Sequence, residues 1–315
     1  MNTNLTHDVA IIGGGAAGLS AAIALARSLR SVVVVDAGEP RNAPAAGAHN
    51  VLAREGLSPL ELLATGRREA ADYGADIRHD RAVAARRTGD VFEIDLASGG
   101  TVTVRRLLLA TGLIDELPDV PGVREFWGRS VLHCPYCHGW EVRGQRIGVL
   151  GTSDRSVHQA LLFRQLSHDV TLFVHEMPDP GEESWAELAA AGIQVVPGDV
   201  DRLRSEEDSL RAVVLHDGRE FLVDALIVAP RFIARADLYV QLGGATTEHP
   251  TGAFIAAAPT GRTEIPGVWA AGNVSDLGAM VTAATAAGVV AAAGINADLV
   301  TEDVQTAVQE RSVPA

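Results

Sequence analysis

The sequence predicts an α/β chain of two domains, each a parallel sheet covered on both faces. Three observations predict it. A short apolar strand, a glycine turn and an Ala/Leu-rich helix open the chain in "DVAIIGGGAAGLSAAIALARSL", and a fully apolar strand, "SVVVVD", follows. The same plan returns in "RIGVLGTSDRSVHQALLFRQLSHDVTLFVHE". A Pro/Gly-punctuated connector, "DELPDVPGVREFWG", separates the two. Continuous apolar runs suit parallel strands covered on both faces, and the repeat of strand, turn, helix and strand marks a weak internal duplication.

Taken in order, "NAPAAGAHN" reads as a small-residue loop. "SPLELLATGRREAADYGA" reads as a helix, with Ser58 at its N-cap and Pro59 in its first turn. "DVFEIDL", "GTVTVRR" and "LLLATG" alternate or run apolar as strands do, and "IQVVPGDV", "LRAVVLHDG" and "FLVDALIVAP" supply more. The tail from about residue 240 has no nucleotide turn of its own, so it is expected to complete an earlier domain. Its Ala/Val-rich stretch 279–295 is shorter than the roughly 20 apolar residues a membrane span needs, and is expected as a buried helix.

The chain has 315 residues, 47% of them hydrophobic and 21% charged, enough for a substantial core. Its net charge of −14, with no Lys/Arg-rich run, argues against nucleic acid as a partner. The N-terminus has no basic segment leading into an apolar one, and two cysteines make no disulfide scaffold. A cytoplasmic protein with no membrane partner is expected.

The first turn, Gly13-x-Gly15-x-x-Gly18, follows a strand and opens a helix, and Asp36 ends the next strand. Gly13 permits the tight turn, Gly15 lets backbone approach a pyrophosphate, and Gly18 allows close helix–strand packing. The helix N-terminus attracts phosphate and Asp36 can accept a ribose hydroxyl. This is a Rossmann-like site for an adenine dinucleotide. The second turn starts at Gly151 but has Ser153 and Ser156 where the pattern wants glycine or alanine. Its next strand ends Val174-His175-Glu176, with no Arg or Lys to grip a 2′-phosphate, so NADPH is disfavoured. Either NADH binds there poorly or the fold has lost its ligand.

Cys134 and Cys137, the only cysteines, stand in "HCPYCHGWE". Zinc needs about four ligands, and only His133 and His138 lie nearby, so no metal is expected. A C-x-x-C pair closes a small, easily reduced disulfide, and His138 can take a thiol proton near neutral pH. The expected site is a redox dithiol/disulfide. His133, His158, His168 and His175 are expected to be ordinary surface or packing residues, and Trp140 to pack rather than meet substrate.

The order of first turn, C-x-x-C, second turn and "TEIPGVWAAGN" resembles the low-molecular-weight thioredoxin reductase family over nearly the whole chain. "GEPRNAPAAGAHN" and "CPYCHGWE" are closest to one branch, the FAD-dependent dithiol oxidases of the gliotoxin and holomycin type. His138 stands where the reductases commonly carry Asp. Val174, His175 and Glu176 stand where they carry an "HRR" clamp.

The resemblance implies an FAD domain (1–114 and 245–315) split by an inserted NAD(P)-binding-like domain (115–244) that carries the cysteines. It implies FAD contacts at Gly13, Gly15, Ala16, Ala17, Gly18 and Asp36, then at Arg41, Asn42 and Asn50. Thr111, Gly112, Gly272, Asn273 and Ala279 complete the set. Asn273 replaces the usual Asp and can still hydrogen-bond the ribityl chain. His49 lies in a loop resembling a flavin-contacting segment, with a surface or packing role equally open. Cys134, Cys137 and His138 are the catalytic candidates. The implied reaction oxidises a small-molecule dithiol through Cys134/Cys137 and FAD, with O2 as acceptor giving H2O2. A reductase of a thioredoxin-like protein, fed by NADH, ferredoxin or another non-NADPH donor, is the alternative. A homodimer is implied by the resemblance alone.

Overall fold

The structure, a computed structural model, describes residues 6–312. The chain forms two compact units, one of residues 1–43, 58–114 and 232–315 and one of residues 44–57 and 115–231. The return to the first unit comes at Phe232, earlier than the expected 245, and the loop 44–57 belongs with the cysteine-bearing unit.

In the first unit, strands Asp76–His79, Val32–Asp36, His7–Ile12 and Thr101–Leu109 lie side by side in parallel, and Val268–Ala270 pairs with the end of the last. Val32–Asp36 and the latter part of His7–Ile12 are covered on both faces, as their continuous apolar runs require. Val9, Ile11, Val32 and Val34 pack against the helix Ala16–Arg27 and the C-terminal helix Val281–Ser312. Ala10, Ile12, Val33 and Val35 pack on the other side with Phe92, Ile94 and Tyr239. Fully burying one such side chain stabilises by about 1.5–3 kcal/mol. "GTVTVRR" and "LLLATG" form one strand, Thr101–Leu109, rather than two. Its first half pairs antiparallel with Val91–Leu96 and its second half parallel with His7–Ile12 and Val268–Ala270. Ser58 does occupy an N-cap, before Pro59–Asp72, but its side chain makes no capping bond.

The C-terminal helix runs well past residue 295. By length and composition, Val281–Arg311 is long and apolar enough to cross a membrane, which corrects the expectation from 279–295 alone. One side of it is nevertheless core: Ala291, Ala292, Ile295 and Leu299 are buried against Ala21, Ala22 and Leu25. Farther along, Asp298 pairs with Arg106, and Asp303 with Arg30 and Arg105. Small residues let the two helices meet: a Cβ at Gly288 would stand 2.0 Å from the Ala17 carbonyl oxygen.

The second unit repeats the plan. Strands Gln194–Val196, Val170–Phe173, Ile147–Leu150, Ala225–Ile227 and Val131–Leu132 form a five-stranded parallel sheet. Val200–Glu206, Ser209–Leu215 and Glu220–Leu222 make an antiparallel meander. The helix Arg155–Arg164 follows the second turn, with Val157, Ala160 and Phe163 buried.

Candidate functional site

In the first unit the glycine turn has the shape its pattern implies. Gly13 has φ +107°, a conformation that favours glycine, and a Cβ there would sit 2.3 Å from the Ala110 carbonyl oxygen. A Cβ at Gly18 would meet the Gly13 carbonyl oxygen at 1.9 Å, so only glycine lets the helix begin so close to the strand. At Gly15 nothing lies within 4 Å of where a Cβ would point, which leaves the backbone open to a ligand. Asp36 is 9% exposed at the end of its strand.

Two partners of Asp36 have no pattern in the sequence. A Cβ on Gly14 would lie 2.5 Å from Asp36 Oδ2, so this middle glycine lets the carboxylate close on the turn. Arg67, from Pro59–Asp72, donates to Asp36 Oδ2 at 3.3 Å.

Thr111 lies under Gly13 and donates from Oγ1 to the Arg235 carbonyl at 2.7 Å, and Gly112 has φ +71°. Gly272 sits against Ala17, next to Ala16 at the helix start. Asn273 Nδ2 donates to the carbonyls of Asp276 and Ala279, at 3.1 and 2.9 Å. Both amide hydrogens are thus committed, and Oδ1 is what the side chain can offer a ribityl hydroxyl. An aspartate could not make those two donations. Arg41 lies over the Phe232 ring, 5.0 Å from its centroid, with Asn42 beside it in the chain. The open Gly15 backbone, the tight Gly13 and Gly18 and the terminal Asp36 fit a bound dinucleotide.

In the second unit, Cys134 precedes a single helical turn, Pro135–His138, whose amides of Cys137 and His138 both donate to the Cys134 carbonyl. The two sulfurs lie 2.7 Å apart and both cysteines are half-buried. Gly139 is required next: a Cβ there would collide with the Pro135 carbonyl oxygen at 2.3 Å and Leu166 at 2.4 Å. Burial pushes the His138 imidazole below its ordinary proton affinity, with Glu141 acting against that shift and His49 adding to it. The ring is therefore a neutral base at pH 7. His133 contacts Gln159 from the helix Arg155–Arg164 through its ring and its carbonyl.

Trp140 corrects an expectation. It is 67% exposed rather than packed, with the Arg143 guanidinium 3.9 Å from its ring centroid. Tyr136, between the cysteines, is 65% exposed. Asn50 lies in the cysteine-bearing unit and donates from Nδ2 to the Tyr136 carbonyl at 2.7 Å. His49 lies between Glu55 (2.7 Å) and Glu141 (3.4 Å).

The second turn is closed by its own side chain. Ser156 is fully buried, and its Oγ accepts from the amides of Thr152 (3.2 Å) and Ser153 (3.5 Å) while donating to the Leu150 carbonyl. Those amides belong to the turn between Ile147–Leu150 and Arg155–Arg164, the counterpart of the first unit's glycine turn. His175, at φ +45°, accepts the Val200 amide on Nδ1. Among the described residues, no group of three or more His, Cys, Asp or Glu side chains is arranged to hold a metal ion.

Residues 7–308 match the pyridine nucleotide-disulphide oxidoreductase family. The chain is 35% identical to "Thioredoxin reductase tcpT" of Claviceps purpurea, across 89% of each chain. It is 33% identical to "Thioredoxin reductase sirT" of Leptosphaeria maculans, across 92% of this chain and 93% of that one. Among solved structures, HlmI superposes with a TM-score of 0.91 at 43% identity, covering 98% of this chain and 97% of that one. With two nucleotide folds, an open first turn and a paired C-x-x-C, the chain belongs to the pyridine nucleotide-disulphide oxidoreductase family, as an FAD-dependent, thioredoxin reductase-like disulfide oxidoreductase.

Proposed function

We propose that this protein oxidises a small-molecule dithiol to a disulfide, with dioxygen as the final electron acceptor. The observation that carries this reading is the second turn, where the Ser156 hydroxyl holds the amides that a nicotinamide dinucleotide would need. A turn closed in this way favours electrons that enter from a thiol.

His138 takes the proton of a substrate thiol; burial lowers the ring's proton affinity and so favours the neutral form that can accept one. The substrate thiolate attacks Cys134 Sγ in the disulfide form of the pair. The Cys134–Cys137 bond breaks and Cys137 leaves as a thiolate. The second substrate thiol, deprotonated in turn, attacks the substrate sulfur of the mixed disulfide. Cys134 leaves as a thiolate and the product disulfide closes, two electrons and two protons having left the substrate. FAD, when bound, supplies the two-electron acceptor that returns the cysteines to the disulfide, and dioxygen takes those electrons as hydrogen peroxide. Gly13, Gly15, Gly18 and Asp36 would hold its adenosine diphosphate half. The working form we propose is a cytoplasmic homodimer.

A second reading follows from the relatives' names. Two fungal relatives are called thioredoxin reductases, which favours reduction of a thioredoxin-like protein by NADH, ferredoxin or another non-NADPH donor. Anaerobic mixing of the flavin-loaded protein with NADPH, NADH or dithiothreitol separates the two. Bleaching of the flavin by the dithiol alone, then peroxide on admitting air, is expected. Rapid bleaching by NADPH would overturn the oxidase reading.

A further inference from the structure

The helix Arg155–Arg164 buries a mixed face. Val157, Ala160 and Phe163 are buried, as an apolar face requires, but so are Ser156 and Gln159. Ser156 closes the second turn. Gln159, 6% exposed, reaches the ends of two other strands. Its Nε2 donates to the carbonyls of His133 and Val228, both at 3.3 Å, and approaches His133 Nδ1 at 3.4 Å. Val131–Leu132 and Ala225–Ile227 pair in parallel, and the Val228 amide donates to the Leu132 carbonyl at 2.9 Å. His133 and Val228 are the first residues beyond those strands, and Gln159 joins them where the ladder ends.

An amide nitrogen carries two hydrogens, enough for two carbonyls. The opposite orientation would set Oε1 against both carbonyl oxygens, so the partners fix which end of the amide faces them. Oε1 is itself buried and, among the described residues, has no hydrogen-bond partner. Buried polar groups are normally paired, and a methionine or leucine would fill this space without leaving an acceptor unmet. What the glutamine supplies beyond them is the pair of donated bonds.

We propose that Gln159 is a positioning residue for the redox pair: by gripping the peptide group between His133 and Cys134, it keeps Cys134 facing Cys137 in the dithiol form. The His133 carbonyl and the Cys134 amide lie in one rigid plane, so fixing the carbonyl fixes the bond that leads into Cys134. On its far side Cys134 is fixed again, its own carbonyl accepting from the amides of Cys137 and His138. The disulfide form is closed by its covalent bond. The dithiol form has no such tie and depends on these two holds. Without Gln159, Cys134 gains freedom in the dithiol and hardly any in the disulfide. Conformational entropy then favours the dithiol, and the pair becomes easier to reduce. The proposal rests on the reading that Cys134 and Cys137 are the redox pair, whichever substrate they serve.

The test equilibrates the flavin-loaded full chain anaerobically with reduced and oxidised glutathione, then quenches with acid and alkylates the thiols. Two glutathione thiols reduce the enzyme disulfide to the dithiol and leave as oxidised glutathione. Cys134 and Cys137 are the only cysteines, so the alkylation count reports this pair alone. Gln159→Met is expected to shift the exchange constant towards the dithiol by about three- to tenfold, the effect of one net hydrogen bond, which raises the potential by about 15–30 mV. Gln159→Leu should move it the same way, and serves if Gln159→Met fails to fold. Phe163→Leu, a packing change in the same helix, should lower Tm and leave the constant at its wild-type value. His133→Ala, which keeps the carbonyl and loses the ring, should also leave it there. A constant unchanged in both glutamine variants, or moved towards the disulfide, would overturn this proposal alone. An equal shift in Phe163→Leu or His133→Ala would do the same, since helix packing or the ring would then be the cause. Flavin bleaching by dithiothreitol at the wild-type rate in Cys134→Ser would instead overturn the reading on which it rests.

Discussion

Ser156 is the residue whose replacement says most about where electrons enter. Its hydroxyl is fully buried and serves three groups, the amides of Thr152 and Ser153 and the carbonyl of Leu150, at 3.2, 3.5 and 3.4 Å. All three bonds are long, so each is worth the low end of a net hydrogen bond. Removing the shared partner leaves the groups unsatisfied together, at a cost of about 1–2 kcal/mol. Ser156→Ala, which keeps the Cβ, should therefore lower Tm by a few degrees, at about 2–4 °C per kcal/mol. It should leave dithiol-driven bleaching at the wild-type rate. Ser153→Gly/Ser156→Gly also removes both side chains from the turn and frees the amides. In this double variant NADH should bleach the flavin faster than in wild type, while NADPH should not, because Glu176 still repels a 2′-phosphate. Unchanged stability in Ser156→Ala would refute the claim that the hydroxyl closes the turn. Wild-type flavin bleached by NADH as quickly as by a dithiol would refute the inference that a closed turn redirects electron entry.

Three further outcomes are expected. Gly288→Ala places a methyl 2.0 Å from the Ala17 carbonyl oxygen, so it should part the helices beside the first turn, cost about 1–3 kcal/mol and lower the flavin-to-protein absorbance ratio of the purified enzyme. Asn273→Asp sets a carboxylate against the carbonyls of Asp276 and Ala279 and loses both donations; the urea midpoint and flavin retention should both fall, by the equivalent of about 1–3 kcal/mol. At low pH the C-terminal helix should loosen. Burial alone would raise the Asp8 carboxyl, but donors from Ser31 and the Arg105 guanidinium outweigh it and hold it below 3.8, while Arg30 and then Arg105 do the same for Asp303. Their folded values are depressed, so the stabilisation is present above the ordinary carboxylate range and is lost as pH falls through the lowered values. The urea midpoint should fall gently once pH drops below about 6.5, where the unfolded chain protonates His7 and His138 more readily than the folded one does, and steeply below about pH 4; Arg105→Ala should flatten the second drop.

Much of the fold was legible because its signals are local. Apolar runs such as Val32–Val35, buried on both faces, mark a parallel strand wherever they occur, and Gly13, Gly15 and Gly18 report backbone geometry through the absence of a side chain. The redox pair was legible for the same reason, since a C-x-x-C brings its sulfurs together within one turn of helix. Gly14 and Gly288 were not. Their need for a hydrogen at Cα comes from Asp36 and Ala17, which no spacing rule connects to them. Trp140 was not legible either: it stands exposed with Arg143 covering its ring, a contact that no spacing rule marks.

Ser156 was legible only by half. As a sequence position it is a defect, a side chain where the helix should lie flat on the strand. In the folded unit the same hydroxyl takes up the amides of Thr152 and Ser153, so under the proposed reading the side chain that disfavours a nicotinamide dinucleotide also stabilises the turn. His49 poses the converse case, a residue whose loop resembles a flavin-contacting segment but which acquires two carboxylate partners through the loop's placement. Both show why polar sites are harder to read from sequence than cores. Burial of apolar surface is non-directional and survives many registers, whereas a hydrogen bond needs both partners within about 3 Å. At Ser156 the partners lie within one turn of the chain and can be worked out once the turn is known. At His49 one of them, Glu141, belongs to a distant segment, and only the fold brings the two together.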